Sequence, residues 1–384
     1  MAAPTGPLVG VKVIELGGVG PIPYTCQLLS DMGADVIRLD RPPGYDGGAP
    51  VAARFNLNNR GRRSAAVDLK NPEAVAAVLE LVEHADVLVE GFRPGVAERL
   101  GLGPEECHAV NPGLVYGRMT GWGQDGPLAT TPGHDINYIA LTGMLNAVGP
   151  ADGPPAIPLN LGGDFGGGSL FLALGVLAAL IERNGSGRGQ VIDAAMVDGS
   201  ASLMTLFYGF FAAGYWEDRR GSNRLDSGAP FYHPYETADG RWLAMGSNET
   251  RFWINTLDLL GLNDEFMRDQ HDRARWPEMK SRIAAAVRTR PLDEWVRLAD
   301  GVEVCLSPVM SLSDAPSHPH LVARKTFIEV EGVPQPAPAP RFSRTPGSVS
   351  RPPAEPGEHT DEVLADWGLS PERLAALHES GAVS

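Results

Sequence analysis

The chain has 384 residues, of which 43% are hydrophobic and 21% charged, so it can bury one large or two medium cores and lacks the composition of a disordered protein. A formal net charge of −15 argues against nucleic acid or an anionic membrane as the main partner, and an anionic small molecule would need a local basic patch. Three cysteines without metal or redox spacing and a start without a signal-peptide pattern predict a reducing cytoplasm, and no apolar run is long enough to predict membrane insertion.

The N-terminal part predicts alternating strands and helices. A β-branched run at 9–18 ends in glycines, and residues 24–40 predict a helix, a stop at Gly33 and a second strand. Further strands are predicted at RRSAAVDL, DVLVEGF and GLVYGRMTGWG, with a helix that has Pro72 near its first turn between the first two. This pattern indicates an open, parallel α/β sheet, whose ligands usually lie beyond the carboxyl ends of the strands.

The composition changes near residue 225. Aromatic-rich strands are predicted at 230–247 around an Ala-Asp-Gly turn, and helical patterns follow them. This region predicts a smaller α+β domain. Residues 333–358 are proline-rich and predicted to be extended, and residues 360–380 predict a short terminal helix.

Several common catalytic motifs are missing or incomplete. GGVGPI (17–22) begins like a dinucleotide-binding fingerprint but lacks the third glycine, so it does not predict a nucleotide redox cofactor. The histidines and cysteines show no metal-ligand spacing, which gives no reason to predict a metal. No G-x-S-x-G elbow supports a serine hydrolase.

Basic residues cluster near the predicted strand ends: Arg41, Arg54, Arg60, Arg62, Arg63, Lys70, Arg93 and Arg99. In an acidic protein this clustering fits a phosphate-bearing ligand, since the guanidinium fork matches phosphate oxygens. A solvated basic face explains it equally well.

Two further features could carry chemistry. The glycine-rich run before the apolar helix of 159–180 contains Asp164, and an open loop there would leave backbone N–H groups available to an oxyanion. Ser169 is better placed than Asp164 to cap that helix, which favours a functional role for the aspartate. A Pro-Gly turn brings His134 to the start of another largely apolar helix, where a lone histidine is more often structural.

Taken together, GHDINYIALTG (133–143), GGDFGGGS (162–169) and ERNGSGRGQVIDAAMVDG (182–199) resemble the family III CoA transferases, and within them the branch that racemises 2-methylacyl-CoA thioesters. Further matching stretches, such as ADVIRLDRP (34–42) and MTGWGQDGP (119–127), extend the resemblance nearly from end to end.

The resemblance implies a Rossmann-like large domain, a smaller α+β domain and an intertwined homodimer. The corresponding boundaries are a large CoA-binding domain at 1–200, a linker at 201–225, a small domain at 226–325, and a return linker with a C-terminal segment on the large domain at 326–384. The substrate would be an acyl-CoA, with CoA as part of the substrate and no further cofactor.

The resemblance also assigns residues to roles. His134 and Asp164 match the two acid/base residues of the racemases, and Glu249 matches a small-domain glutamate that orients the histidine across the dimer. The positions implied to contact CoA and the thioester are Arg41, Val67, Asp68, Leu69, Lys70, Gly91, Phe92, Arg93, Arg99, Gly133, Asp135, Ile136, Asn137 and Tyr138.

The implied reaction removes the α-proton from one face of the thioester and returns a proton to the other, which requires two acid/base groups. Two alternatives remain open. A CoA transferase of the same fold would use Asp164 as a nucleophile. A non-catalytic acyl-CoA-binding protein would need the basic residues but neither Asp164 nor His134.

Overall fold

The computed structural model describes residues 4–42 and 51–384. These residues divide into two compact units. The first contains the described residues up to Thr142, then Leu159–Leu203 and Val322–Ser384, and the second contains Gly143–Pro158 and Met204–Leu321. Each unit has a hydrophobic core of its own.

The strands, in chain order, are β1 Lys12–Leu16, β2 Asp35–Asp40, β3 Arg63–Ala66, β4 Val87–Glu90, β5 Val115–Thr120, β6 Val191–Ala195, β7 Tyr232–Glu236, β8 Trp242–Gly246, β9 Leu306–Pro308, β10 Phe327–Val330 and β11 Val333–Pro336. The α-helices are α1 Pro21–Asp31, α2 Pro72–Val82, α3 Val96–Arg99, α4 Pro104–Val110, α5 Asp135–Leu141, α6 Met144–Ala147, α7 Leu170–Ser186, α8 Met196–Leu203, α9 Thr205–Ala212, α10 Thr250–Leu260, α11 Glu265–Arg268, α12 Trp276–Val287, α13 Leu292–Ala299, α14 Pro319–Ala323, α15 Thr360–Asp366 and α16 Pro371–Glu379.

In the described part of the first unit, β1–β6 form one parallel sheet in the order β3-β2-β1-β4-β5-β6. This is the strand order of Rossmann-type sheets, in which the chain reverses its direction of travel between β1 and β4. The predicted Rossmann-like parallel α/β sheet is therefore confirmed. Loops that follow the carboxyl ends of β1 and β4 border the crevice where such folds bind ligands.

Both faces of this sheet are buried because successive strand residues point to opposite sides. Ile14 and Leu88 pack into a cluster with α2, α15 and α16. Val13 and Val87 pack into a second cluster with α1 and α7. The apolar, β-branched composition of the strands thus produces a three-layer α/β/α arrangement.

Within residues 4–42 and 51–384, one helical stretch, Leu161–Ser186, is long and apolar enough to cross a membrane by length and composition alone. Its residues Leu172, Val176 and Ala179 are buried in the cluster that covers one face of the sheet. A core helix of a globular domain has these same properties, so the stretch is weak evidence for a membrane span.

The terminal region was predicted as one short helix over 360–380, which is wrong in detail, because the structure has two. Gly368 adopts a φ of 111°, a conformation that interrupts a helix. The Ser370 side chain then accepts a hydrogen bond from the Arg373 N–H and caps α16, with Pro371 in its first turn. A cap followed by proline is a start signal that separates the two helices.

The second unit contains an antiparallel sheet in the order β7-β8-β9. The predicted Ala-Asp-Gly turn joins β7 to β8, with Gly240 at a φ of 73°. Three tryptophans, Trp253, Trp276 and Trp295, fill the core beside this sheet, and each donates its indole N–H to a backbone carbonyl. In the same unit, Arg220 donates hydrogen bonds to carbonyls of the 143–158 segment.

Candidate active site

The residues implied to bind CoA lie at the carboxyl edge of the parallel sheet. Arg41 follows β2, Val67–Lys70 follow β3, and Gly91–Arg93 follow β4. Arg99 ends α3, the short helix after β4. The side chains of Arg41, Lys70, Arg93 and Arg99 are exposed at this edge, as a phosphate-binding role requires.

Three of the other arginines have a different role from either one considered from the sequence. Arg60, Arg62 and Arg63 are buried and form ion pairs with Asp31, Glu15 and Asp35, respectively. Arg63 also pairs with Asp366 of α15 at 2.6 Å, and Arg60 donates to the Pro336 carbonyl at 2.7 Å. Arg60 and Arg63 thus join the C-terminal segment to the sheet, and Arg62 pairs with Glu15 of β1 inside the first unit. These buried, paired side chains neither bind phosphate nor form a solvated face.

A buried carboxylate organises the loop after β4. Glu90 is fully buried and accepts the Phe92 N–H at 2.6 Å and the Arg118 Nε–H at 2.9 Å. Arg118 also pairs with Glu98 of α3 at 2.8 Å. Burial raises the pKa of Glu90, whereas the Phe92 N–H and the Arg118 charge lower it. The network ties the Gly91–Arg93 loop to the helix that carries Arg99.

The glycine-rich run around Asp164 is helical, contrary to the expected open loop. Leu161–Ser169 forms a π-helix that leads directly into α7. Glycines allow it to pack closely against α8: a Cβ on Gly167 would lie 2.5 Å from the Ser200 Oγ and 2.9 Å from the Met196 carbonyl. The expectation of unoccupied N–H groups is therefore wrong for the start of this run. The N–H groups of Gly163 and Asp164 donate to the Asp135 side chain, and that of Phe165 donates to the Asn160 carbonyl.

Ser169 does not act as the predicted helix cap. It lies within the helical backbone, with φ and ψ of −56° and −45°, and makes no capping hydrogen bond. Its hydroxyl donates to the Pro21 carbonyl at 2.7 Å and to the Asp164 carbonyl at 3.1 Å. Ser169 thus links the π-helix to α1.

Asp164 lies in a half-buried position between the π-helix and the start of α1. Its Oδ2 accepts a hydrogen bond from the Asn160 side chain at 3.1 Å. On the other side is Gly20, where a Cβ would lie 3.0 Å from the same oxygen. Burial raises the pKa of Asp164; the Asn160 hydrogen bond lowers it, the Asp135 charge raises it and the His134 charge lowers it.

His134 is the N-cap residue of α5, and its side chain is exposed. Its N–H donates to the Asn137 Oδ1 at 3.0 Å. The next residue, Asp135, accepts the N–H groups of Gly163 and Asp164 at 2.5 and 2.7 Å. The structure therefore brings His134 and Asp164, the two implied acid/base residues, to one place.

Tyr138 is a buried residue of α5 that lies near Asp164. Its hydroxyl donates to the Gly133 carbonyl, and its ring meets the Trp122 ring edge-on with centroids 4.8 Å apart. Burial raises the pKa of Tyr138, the charges of Asp164 and Asp135 raise it further, and the charge of Arg93 lowers it. Tyr138 is thus electrostatically coupled to Asp164 and to the loop after β4, while Ile136 and Asn137 expose their side chains.

Glu249 belongs to the second unit. It is exposed at the N-cap of α10, and its backbone carbonyl accepts the Trp253 N–H at 2.9 Å. Burial raises the pKa of the Cys305 thiol, and the Glu249 charge raises it further. The predicted role of Glu249 beside His134 stays a prediction.

Two residues beside the Asp164 carboxylate were not identified from the sequence. Asn160 lies four residues before Asp164, a spacing that brings side chains together only if the run is helical. Gly20 lies in the GGVGPI motif, considered only as an incomplete nucleotide fingerprint. The glycine is visible in the sequence, but only the fold shows that the start of α1 lies beside the π-helix and brings Gly20 close to Asp164.

Comparisons with known proteins indicate a single protein family for this chain. The profile of CoA-transferase family III matches residues 8–360. The chain is 44% identical to the α-methylacyl-CoA racemase of Mus musculus over 379 residues, which cover 98% of this chain and 97% of the mouse protein. It is 41% identical to the α-methylacyl-CoA racemase of Homo sapiens over 377 residues, covering 97% and 96%.

A solved structure has a closely similar fold. The crystal structure of a CAIB/BAIF family protein from Brucella suis superposes with a TM-score of 0.83 at 27% identity and covers 94% of this chain and 100% of its own. The chain belongs to CoA-transferase family III.

Proposed function

We propose that this chain is an α-methylacyl-CoA racemase that interconverts (R)- and (S)-2-methylacyl-CoA thioesters. The observation that carries the proposal is the juxtaposition of His134 with Asp164, whose pKa is raised by burial. The two curated racemases, at 44% and 41% identity over nearly the whole chain, support it.

In this mechanism the two residues act on opposite faces of the α-carbon. The thioester acidifies the α-C–H bond, so no further cofactor is needed, and CoA is part of the substrate. In one direction the Asp164 carboxylate takes the α-proton, the electron pair passes into an enolate, and the His134 imidazolium delivers a proton to the other face. The reverse direction exchanges the roles, and Glu249 would stabilise the imidazolium.

The enolate oxygen needs hydrogen-bond donors. The Gly163 and Asp164 N–H groups are occupied by Asp135, and the Phe165 N–H bonds to the Asn160 carbonyl at 3.3 Å. These three N–H groups are therefore not available to the enolate oxygen.

CoA would lie along the carboxyl edge of the sheet. Arg41 and Arg99 would contact its phosphates or adenosine, Val67–Lys70 and Gly91–Arg93 would line the nucleotide, and Gly133–Tyr138 would meet the pantetheine and thioester. Exposure of the four basic side chains supports this placement. The three cysteines are unpaired thiols, which supports the predicted cytoplasmic location.

The rival function is CoA transfer through an Asp164 anhydride and thioester. A nucleophilic carboxylate must be ionised, whereas an acid/base residue must hold and release a proton. Both reactions use the ionised carboxylate, but only proton transfer also needs the protonated form, which burial of Asp164 stabilises by raising its pKa. A transferase also has no need of a second base such as His134.

Incubation with (R)- or (S)-2-methylacyl-CoA in D2O separates these functions. The racemase incorporates deuterium at the α-carbon and inverts configuration without releasing CoA to an acceptor acid. Transfer to an acceptor, together with hydroxylamine trapping at Asp164, would contradict the proposal. The His134→Ala variant serves as a second arm, since it should lose racemisation but would keep transfer.

A second copy of the chain is the proposed partner, as an intertwined homodimer. In the first unit, α7 exposes Leu174 at 63% and Ile181 at 72%, although the opposite face of the same helix is buried. Exposed aliphatic side chains on a core helix favour an interface with another protein. Leu206 and Phe211 of α9 are exposed in the second unit as well.

The dimer can be tested by sedimentation. The wild type should sediment as a dimer, and Leu174→Glu/Ile181→Glu should weaken association because two carboxylates would be buried at the interface. Leu312→Glu controls for the added charge, since Leu312 is 98% exposed and lies outside α7. A monomeric wild type that racemises at full rate would contradict the dimer.

A further inference from the structure

Asp135 connects the two implied acid/base residues. It is the first residue of α5 and directly follows His134. Its side chain is buried, with only 6% of the residue exposed, and points to the π-helix. There its Oδ1 accepts the N–H groups of both Gly163 and Asp164, at 2.5 and 2.7 Å.

The residue before Asp164 must be glycine for this contact to form. A Cβ on Gly163 would lie 2.6 Å from the Asp135 Oδ1 and 3.2 Å from its Cα. Any side chain there would displace either Asp135 or the π-helix. The two hydrogen bonds and this close approach set the position of the Asp164 backbone relative to that of His134.

We propose that Asp135 is a positioning residue, which holds Asp164 in register with His134 and keeps a negative charge beside the Asp164 carboxyl group. This inference rests on the proposed function. It gives Asp135 a role through its side chain, beyond contact with the substrate.

The hydrogen bonds to Oδ1 satisfy only one oxygen of the Asp135 carboxylate. Its Oδ2 is buried without a hydrogen-bond partner in the described part of the chain. The groups around Asp164 are His134, Asp135 and Tyr138 from α5 and its cap, and Asn160, which precedes the π-helix. Arg93 lies near Tyr138. The start of α1 contributes Gly20, which is uncharged.

Burial raises the pKa of Asp164, and the charge of Asp135 raises it further. A racemase requires this behaviour, because Asp164 must accept the α-proton in one direction and give it back in the other. A second carboxylate close by favours the protonated form that the return step needs.

Asp135→Asn tests the charge. The amide oxygen can still accept the two N–H groups, but the negative charge is lost. The pKa of Asp164 should fall, so the low-pH limb of kcat/KM for the enantiomer deprotonated by Asp164 should move to lower pH. An unmoved limb would overturn the electrostatic part of the proposal.

Gly163→Ala tests the positioning, because it keeps the charge and disturbs the contact. We expect kcat to fall roughly 100-fold, with a smaller change in KM for the CoA thioester. A wild-type kcat in folded Gly163→Ala would overturn the positioning role, and this variant stays informative if Asp135→Asn does not fold.

A direct titration keeps this test separate from the proposed function. The 13C carboxyl resonance of Asp164, assigned by its loss in Asp164→Asn, should titrate at lower pH in Asp135→Asn. Asp86→Asn is the control: Asp86 accepts the Lys12 N–H at 2.8 Å and pairs with Arg183 at the other end of β4, so it should leave the Asp164 titration unchanged.

The outcomes are distinguishable. A shifted Asp164 titration without α-proton exchange in the wild type would reject the racemase function and retain the influence of Asp135. Exchange in the wild type with the same Asp164 titration in both proteins would retain the racemase and reject that influence.

Discussion

Gly20 leaves room for the Asp164 carboxylate because it has no side chain. It precedes α1 with a φ of 67°, and a Cβ there would lie 3.0 Å from the Asp164 Oδ2. A side chain at this position would be strained and would press on the carboxylate at the same time. The last glycine of GGVGPI is therefore explained by close approach of the backbone to Asp164.

Gly20→Ala should lower kcat by roughly 10- to 100-fold, because the Asp164 carboxylate moves away from its working position. Steady-state kinetics on the folded variant measures this. Gly187→Ala is the matched control: it has a φ of 72° and nothing within 4 Å of its added Cβ, so it should cost stability alone. Equal kinetics for the two variants would show that only backbone strain matters.

Asp164→Asn should make the protein more stable at neutral pH. Burial raises the pKa of Asp164, so the folded state resists the ionisation that occurs readily in the unfolded chain. The destabilisation grows as the pH rises from the pKa of Asp164 in the unfolded chain to its higher pKa in the folded protein. Below both pKa values Asp164 is protonated in both states, so the destabilisation is absent. Urea unfolding at acidic and neutral pH should show a variant advantage only at the higher pH, and a less stable variant at neutral pH would be the opposite result.

The parallel sheet of the first unit could be predicted from the sequence, but the π-helix that carries Asp164 could not. Strands β1, β2 and β4 were recognisable because apolar runs end in glycine or polar residues at Gly17, Arg41 and Gly91. The π-helix was missed, because glycines usually indicate a loop. Their role here is close packing against α8, which no local pattern reveals.

The clamp formed by Glu90 and Arg118 positions one side of the predicted CoA site. Arg118→Met should raise KM for the CoA thioester by roughly 10-fold with little change in kcat, because it loosens binding groups far from the reacting carbon. Kinetics should be compared with Arg183→Met, which removes a pair with Asp86 at the opposite end of β4. The prediction fails if both variants raise KM equally, or if Arg118→Met lowers only kcat.

At the scale of the whole molecule, buried arginine pairs join segments that are distant in the chain. Arg62 and Glu15 are 47 residues apart and both fully buried, and Arg63 pairs with Asp366 across 303 residues. From the sequence, Arg60, Arg62 and Arg63 were consistent with a phosphate-binding surface, because sequence spacing does not reveal the acidic residues with which they pair. Only the fold shows that these charges are internal.

Arg62→Ala should lower the free energy of unfolding by roughly 3–5 kcal/mol, since it leaves the Glu15 charge buried without its partner. Guanidinium unfolding measures the loss. The double variant Glu15→Leu/Arg62→Leu should recover most of it, because no isolated charge then remains. A double variant no more stable than Arg62→Ala would show that packing around these side chains matters more than their charge.

The claim that His134 and Asp164 act on opposite faces of one carbon is tested most directly by solvent exchange with each enantiomer separately. Asp164→Asn and His134→Ala are each incubated in D2O with (R)- and with (S)-2-methylacyl-CoA, and the deuterium at the α-carbon is measured. Neither variant should invert the configuration of either enantiomer. Each should still exchange the α-proton of the enantiomer whose proton faces the remaining base. Asp164→Asn and His134→Ala should therefore incorporate deuterium into opposite enantiomers. Equal residual exchange from both enantiomers in either variant would contradict the two-base account.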